Sequence, residues 1–179
     1  MKKKSVSNKE TALLGLLNEK SMHGYQLERT IYERSMDYWS EISQSSIYKL
    51  LNKLESEKLV KSEIKLTKKN ISQKIYKITA EGKKILKEKI MEILSEPEKL
   101  TWRIDMGIAN YSLLTKKEAG ECLKKYEEKL DELIKGYGNL IEYLRSVNCP
   151  LNKYGLATRP IALFKAEKAW LKEFLKSVS

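Results

Sequence analysis

Nine apolar residues, Ala119, Leu123, Tyr126, Leu130, Leu133, Tyr137, Leu140, Leu144 and Val147, recur at alternating steps of four and three. A period of 3.5 kept over four heptads places all of them on one stripe of an α-helix and requires a second helix lying lengthwise along it. Thr115-Lys116-Lys117-Glu118 supplies a capping box ahead of the stripe. Asn148-Cys149-Pro150 ends it, so the long helix is expected near 116–147, about 46 Å at ~1.5 Å per residue. A last helix is expected over about 160–177, opened by Thr158-Arg159-Pro160. Ile161, Leu163, Phe164, Trp170, Leu171, Phe174 and Leu175 cover much of its circumference. One long helix does not bury that much apolar surface, which implies a dimer. The stripe from Leu123 to Leu144, with Phe164, Trp170, Leu171 and Phe174, is the expected dimerisation surface.

Composition narrows the class. The 179 residues fit one domain or two small ones, and 41% hydrophobic content supports a core. Eight Gly and three Pro argue against a loop-rich all-β fold or a disordered chain. No apolar run approaches the ~20 residues that span a bilayer, so no membrane role is expected. Met1-Lys2-Lys3-Lys4 is basic but leads into no apolar signal sequence. Cys122 and Cys149 form no disulfide framework, which points to a reducing cytoplasm. With His23 the lone histidine, no zinc site of ordinary spacing can be drawn, and no cofactor is expected.

The net charge of +11 is unevenly spread. Positions 58–77 hold seven lysines against Glu63, whereas 116–146 are neutral. A local basic patch suits a polyanionic partner through counterion release, although a solvated lysine-rich surface reads the same by charge alone.

The order of elements favours the polyanion. Ser7-Asn8-Lys9-Glu10 is a capping box, and Ala12, Leu13, Leu16 and Leu17 continue a first helix over about 8–19. A turn at 20–22 leads to a second helix over about 24–35 with Leu27 and Ile31 inward, and Trp39 and Ile42 anchor the connection. Ser43 or Ser45 can cap a third helix, in which Ile47, Leu50, Leu51 and Leu54 form a buried stripe. Ser45, Lys49, Asn52 and Ser56 then face away, with Tyr48 and Lys53 on the flanks. That short polar edge suits a DNA major groove, where hydrogen-bond donors and acceptors are read. Val60, Ile64 and Leu66 alternate with Lys61, Glu63 and Lys65, and 75–79 are β-favourable, giving a hairpin. Three helices and a hairpin make a winged helix-turn-helix with Lys68, Lys69 and Asn70 near the wing tip. A fourth helix over about 81–94 ends before Pro97, and the segment 99–113 is helical with a mixed period. The expected fold is therefore mainly α (α+β): a winged-helix domain over 1–96 followed by a helical dimerisation domain over 97–179.

With these residues placed, the chain resembles the PadR family of transcriptional regulators. His23-Gly24-Tyr25, Ser46-Ile47-Tyr48, Leu54-Glu55 before Leu59-Val60, and Tyr76-Lys77-Ile78-Thr79-Ala80-Glu81-Gly82 look like family landmarks in order. The helical tail, with Tyr38-Trp39 ahead of the third helix, resembles the long-tailed, AphA-like subclass. The resemblance implies a homodimer on a near-palindromic operator. Two departures stand out: Lys58 where the family usually has Gly, and Gln73-Lys74 where the second wing strand usually opens with arginine.

The expected DNA-binding residues are Ser45, Ser46, Tyr48, Lys49, Asn52 and Lys53 on the third helix, and Lys68, Lys69, Lys74 and Lys77 on the wing. Asn52 can pair bidentately with adenine, while the wing lysines suit phosphates. Tyr48 contacts DNA or packs at the core rim; for Ser45, Lys49 and Asn52 the alternative is plain exposure. His23 and Tyr25 are read as structural, and Tyr76 and Ile78 as core. The tryptophans fill core and interface or line a pocket for a small aromatic effector. The leading expectation is a double-stranded-DNA regulator, taken as a repressor. A winged-helix interaction adaptor and an RNA-binding protein are the alternatives. Enzymatic function is not expected, because no Ser/His/Asp set or glycine-rich phosphate loop is present.

Overall fold

The computed structural model describes residues 5–66, 72–98 and 102–178. The chain divides into two compact units, Met1–Lys99 and Leu100–Ser179.

In the first unit, α1 (Asn8–Glu19) starts at the expected box: Ser7 Oγ accepts from the Glu10 amide, and the Glu10 carboxylate accepts from the Ser7 amide. Leu13, Leu14, Leu16 and Leu17 are all buried, because α1 packs against the third long helix, the hairpin and the helix that closes the unit. A two-residue strand, β1 (Met22–His23), precedes α2 (Gly24–Glu33). It pairs with the hairpin's second strand and is too short to leave a period-two signal. His23 caps α2, its Nδ1 accepting from the Gln26 amide at 3.2 Å. Tyr25 stacks on that imidazole and stays exposed.

A single turn, α3 (Asp37–Ser40), and a 3-10 turn (Gln44–Ser46) lead into α4 (Ile47–Ser56). Ile42 is buried, but Trp39 is half exposed and anchors the connection less than its size suggested. Neither Ser43 nor Ser45 caps α4: the serines bond among themselves, with Ser46 Oγ donating to the Ser43 carbonyl at 2.6 Å. Ile47, Leu51 and Leu54 are buried as the spacing predicts, and Leu50 is half-buried against the same core.

β2 (Val60–Leu66) and β3 (Ser72–Ile78) form the antiparallel hairpin, and the sheet order is β1-β3-β2. Val60 faces Ile78 and Ser62 faces Tyr76, which sets the core side of the ladder. Thr79 caps α5 (Ala80–Ser95), and its hydroxyl bonds the Leu59 carbonyl at 3.0 Å. α5 approaches that carbonyl so closely that a methyl group at Gly82 would lie 2.1 Å from it. This gives the glycine of the Thr-x-x-Gly landmark its physical reason. Lys58 closes α4 in the left-handed region at φ 61°, with the Leu59 amide donating to the Leu54 carbonyl at 2.9 Å.

In the second unit, α6 (Arg103–Ala109) and a 3-10 turn (Tyr111–Leu113) account for the mixed period from 102 to 113, while 99–101 lie outside the described residues. α7 (Lys116–Ser146) occupies the heptad segment, and α8 (Leu151–Val178) returns along it. The pairs Arg145–Tyr154, Tyr137–Phe164 and Asp131–Lys168 show the two helices antiparallel. α8 begins nine residues before the expected start. Pro160 lies inside it and forfeits one backbone hydrogen bond, yet α7 supports the helix on both sides of the proline.

The heptad stripe splits into two rows. Leu123, Leu130, Tyr137 and Leu144 are buried or half-buried. In the other row Ala119 is buried and Tyr126 half-buried, while Leu133, Leu140 and Val147 are exposed. Part of the expected dimer surface is engaged within its own chain. Leu130 and Leu171 are closed within their own hairpin, Tyr137 is against Phe164 at 5.8 Å, and Tyr126 bonds Glu167. Among the described residues, no helix is long and apolar enough to cross a membrane, and no cluster of His, Cys, Asp or Glu is fit to hold a metal.

Candidate nucleic-acid interface

The outer edge of α4 is formed as its periodicity requires. Lys49 and Asn52 are exposed and make no hydrogen bond or ion pair among the described residues. Ser45 is exposed in the turn ahead of the helix, and Ser46, half-buried, spends its hydroxyl proton on Ser43. Tyr48 is half exposed and lies against the start of α2. A methyl group at Gly24 would sit 2.5 Å from its ring, so two landmarks far apart in sequence form one contact.

Lys53 is not a free charge. Its ammonium sits 2.7 Å from Glu10 and 3.9 Å from Glu57. Burial pushes the Glu10 carboxyl up, but bonds from Lys53 and Ser7 more than reverse this and hold it below the usual carboxylate range. The hydrogen bond to Glu10 in turn raises the Lys53 ammonium. Glu10 therefore caps α1 and ties that cap to the middle of α4. The Ser-x-x-Glu pattern announced the first role only.

A second brace holds the wing. Glu55 of α4 accepts from Ser62 of β2 and from the Lys74 ammonium of β3, the latter at 2.7 Å. These bonds, Lys74 foremost, keep the Glu55 carboxyl low. Lys74 also lies 5.1 Å from the Tyr76 ring centroid. The register explains why: Lys74 shares strand parity with Tyr76 and Ile78, on the side facing α4, so it is committed to the domain's own carboxylate. Lys77 is exposed on the opposite side, directly across from Lys61, with the Glu63 carboxylate held low by Lys65 first and by both of these lysines. Two like charges facing each other on a ladder repel, a placement relieved by an external anion. Lys68 and Lys69 lie outside the described residues.

The structure thus assembles Ser45, Tyr48, Lys49 and Asn52 on one open edge, removes Lys53 and Lys74 from the free charges, and adds Glu10, Glu55 and Ser62 as supports. Sequence gave no sign of the last three in that role, because each partner lies 7 to 43 residues away along the chain.

Residues 13–88 match the PadR-like family of transcriptional regulators. Over 174 residues the chain is 24% identical to the negative transcriptional regulator PadR of Bacillus subtilis (strain 168), covering 93% of this chain and 95% of that one. The crystal structure of Bacillus subtilis PadR in complex with operator DNA has a TM-score of 0.80 at 22% identity, over 95% of this chain and 98% of that chain. The same protein in complex with p-coumaric acid gives 0.77 at 22% identity, over 96% and 95%. The Vibrio cholerae virulence activator AphA gives 0.65 at 16% identity, over 95% and 97%.

Proposed function

We propose that the chain is a PadR-like transcriptional regulator, the family its residues 13–88 match, and that it works in the cytoplasm as a homodimeric repressor of a near-palindromic operator. The observation that carries this reading is the open edge of α4. Among the described residues Lys49 and Asn52 have no partner, while the cations on either side of them are held by Glu10 and Glu55. A helix braced at two points, with hydrogen-bonding groups free on its outer edge, enters a major groove without reorganising. In the dimer two such edges sit about 34–36 Å apart along the duplex. Asn52 reads a base, and Lys49, Lys61 and Lys77 contact phosphates. The similar structures of Bacillus subtilis PadR, one in complex with operator DNA and another with p-coumaric acid, support both halves of a repressor cycle.

The second copy is expected on the exposed heptad row. Leu133, Leu140 and Val147 are each more than a third exposed, as is Trp170 on α8, and such a row on a two-helix hairpin calls for another apolar surface.

Selection of duplexes from a random pool, followed by fluorescence anisotropy, tests the reading. The full-length protein should enrich an inverted repeat with half-sites one helical turn apart. Asn52→Ala should relax one position of each half-site by about 1–3 kcal/mol, and Lys77→Ala should weaken all duplexes alike and flatten the salt slope. Enrichment of no duplex, or of single half-sites only, would sink it.

A further inference from the structure

Two apolar side chains of the hairpin take no part in the core. On β2, Ile64 is 74% and Leu66 71% exposed, two residues apart on one side of the strand. One exposed apolar side chain is ordinary, but two neighbours on a short strand form a patch that calls for a contact. The register shows which side carries it. Ile64 stands across from Lys74 and Leu66 across from Ser72, in the same parity as the pairs Ser62–Tyr76 and Val60–Ile78 that face α4 and the core. Glu55 of α4 reaches this side, accepting from Ser62 and from Lys74. It lies three residues beyond Asn52 and so next to it on the helix surface. One surface therefore runs from the open edge of α4 through Glu55, Ser62 and Lys74 to Ile64 and Leu66. Leu66 is about 13 Å along the strand from Ser62, at ~3.3 Å per residue. In the sheet order β1-β3-β2 the edge strand is β2, so a duplex that meets it meets this side together with Lys61 and Lys65 of the other.

We propose that Ile64 and Leu66 are specificity-determining contacts: when α4 enters a major groove, the α4-facing side of the hairpin packs these two side chains into the adjoining minor groove, on deoxyribose and A·T edges. The chemistry of the groove sets the preference. A·T pairs present acceptors there, whereas a G·C pair adds the guanine amino group, one more polar group that an apolar side chain buries without a partner. Apolar contacts release no counterions, so their share of the affinity is independent of salt, unlike that of Lys61 and Lys77. This contact rests on the operator reading and adds to it a preference outside the bases that α4 meets.

The test is fluorescence anisotropy of the full-length protein on the duplex it selects from a random pool, first with Ile64→Thr and Leu66→Thr combined. Both positions are exposed and threonine suits a strand, so the fold is kept. Affinity is expected to fall about ten-fold at every salt concentration, with the salt slope unchanged. A repeated selection should lose the A·T preference that flanks each half-site of the parent. A second variant, Ile64→Val with Leu66→Met, keeps both positions apolar and should bind as the parent does. Unchanged affinity of the first variant, a flattened salt slope, an equal loss in the second, a parent without flanking A·T preference, or a loss traced by sedimentation to a weaker dimer would each overturn the proposal. A parent that enriches its inverted repeat while the first variant binds equally well defeats this contact alone. A parent that enriches no duplex defeats the operator reading and this contact with it.

Discussion

The two units solve the burial problem in different ways. The first closes a core of twenty buried apolar side chains, drawn from every one of its helices of ten residues or more and from all three strands. In the second, four apolar residues are buried among the described ones, Ala119, Leu130, Ala157 and Leu171, although α7 and α8 are the longest helices described. Length does not make a core. Two helices in contact can cover one row of a heptad stripe, and the other row is left for a further layer. The first unit thus covers its own apolar surface, whereas the second leaves a row of its heptad stripe exposed.

The sharpest way to break this contrast is to truncate one leucine in each unit. Leu51→Ala opens a cavity in a fully closed core and should lower the unfolding free energy by about 2–5 kcal/mol in a urea titration, whatever the protein concentration. Leu140→Ala removes a side chain that its own hairpin leaves 42% exposed. It should instead weaken the dimer by about ten-fold in sedimentation equilibrium, with helix content kept at high concentration. If Leu140→Ala proves as damaging as Leu51→Ala and independent of concentration, the hairpin is self-sufficient and the contrast fails.

A smaller effect tests how the recognition edge is held. Lys53→Met keeps the aliphatic stem but leaves the buried Glu10 carboxylate without its ammonium, while the Ser7 bonds remain. Because the lysine is about half exposed, the expected loss is discounted to about 1 kcal/mol. The pH dependence has a fixed sign. Glu10 and Glu55 are both held below the ordinary value of 4.5, so their contribution is complete above it and is lost as pH falls through their lowered values. In Lys53→Met, acid unfolding should therefore begin at higher pH than in the parent protein. An unchanged acid midpoint would mean that Glu10 serves only its cap.

These two braces also mark the limit of what the sequence revealed. Local signals carried far: the boxes at Ser7 and Thr115 and the stripe from Ile47 to Leu54 each reappear in the structure, because helix caps and side-chain periodicity are set within a few residues, whereas the alternation in β2 marks the strand but not its burial, since Ile64 and Leu66 are exposed. What the sequence left hidden depended on distance or on context. Lys53 and Lys74 read as free cations because Glu10 and Glu55 approach them only after folding. Leu130 and Leu171 read as dimer contacts because a heptad stripe does not say whether the helix facing it comes from the same chain. Pro160 read as a helix start because the support that carries α8 through it is tertiary.

The smallest effect concerns Lys58, the residue whose mismatch with its surroundings was visible in both sequence and structure. At φ 61° it occupies a region that disfavours a side chain, and its carbonyl accepts from the Thr79 hydroxyl at 2.8 Å, so the turn is fixed at both ends and the backbone does not relax. Glycine there removes the steric penalty but adds freedom to the unfolded chain, and the two nearly offset. The net gain for Lys58→Gly is expected at about 0.5 kcal/mol, or roughly 2–4 °C in the melting of the first unit. Hydrogen exchange localises it: amides of α4 and β2 should gain protection while those of α7 and α8 do not change. Protection spreading equally into α7 and α8 would mean that the units unfold as one, and the division between a self-sufficient and a partner-dependent unit would have to be abandoned.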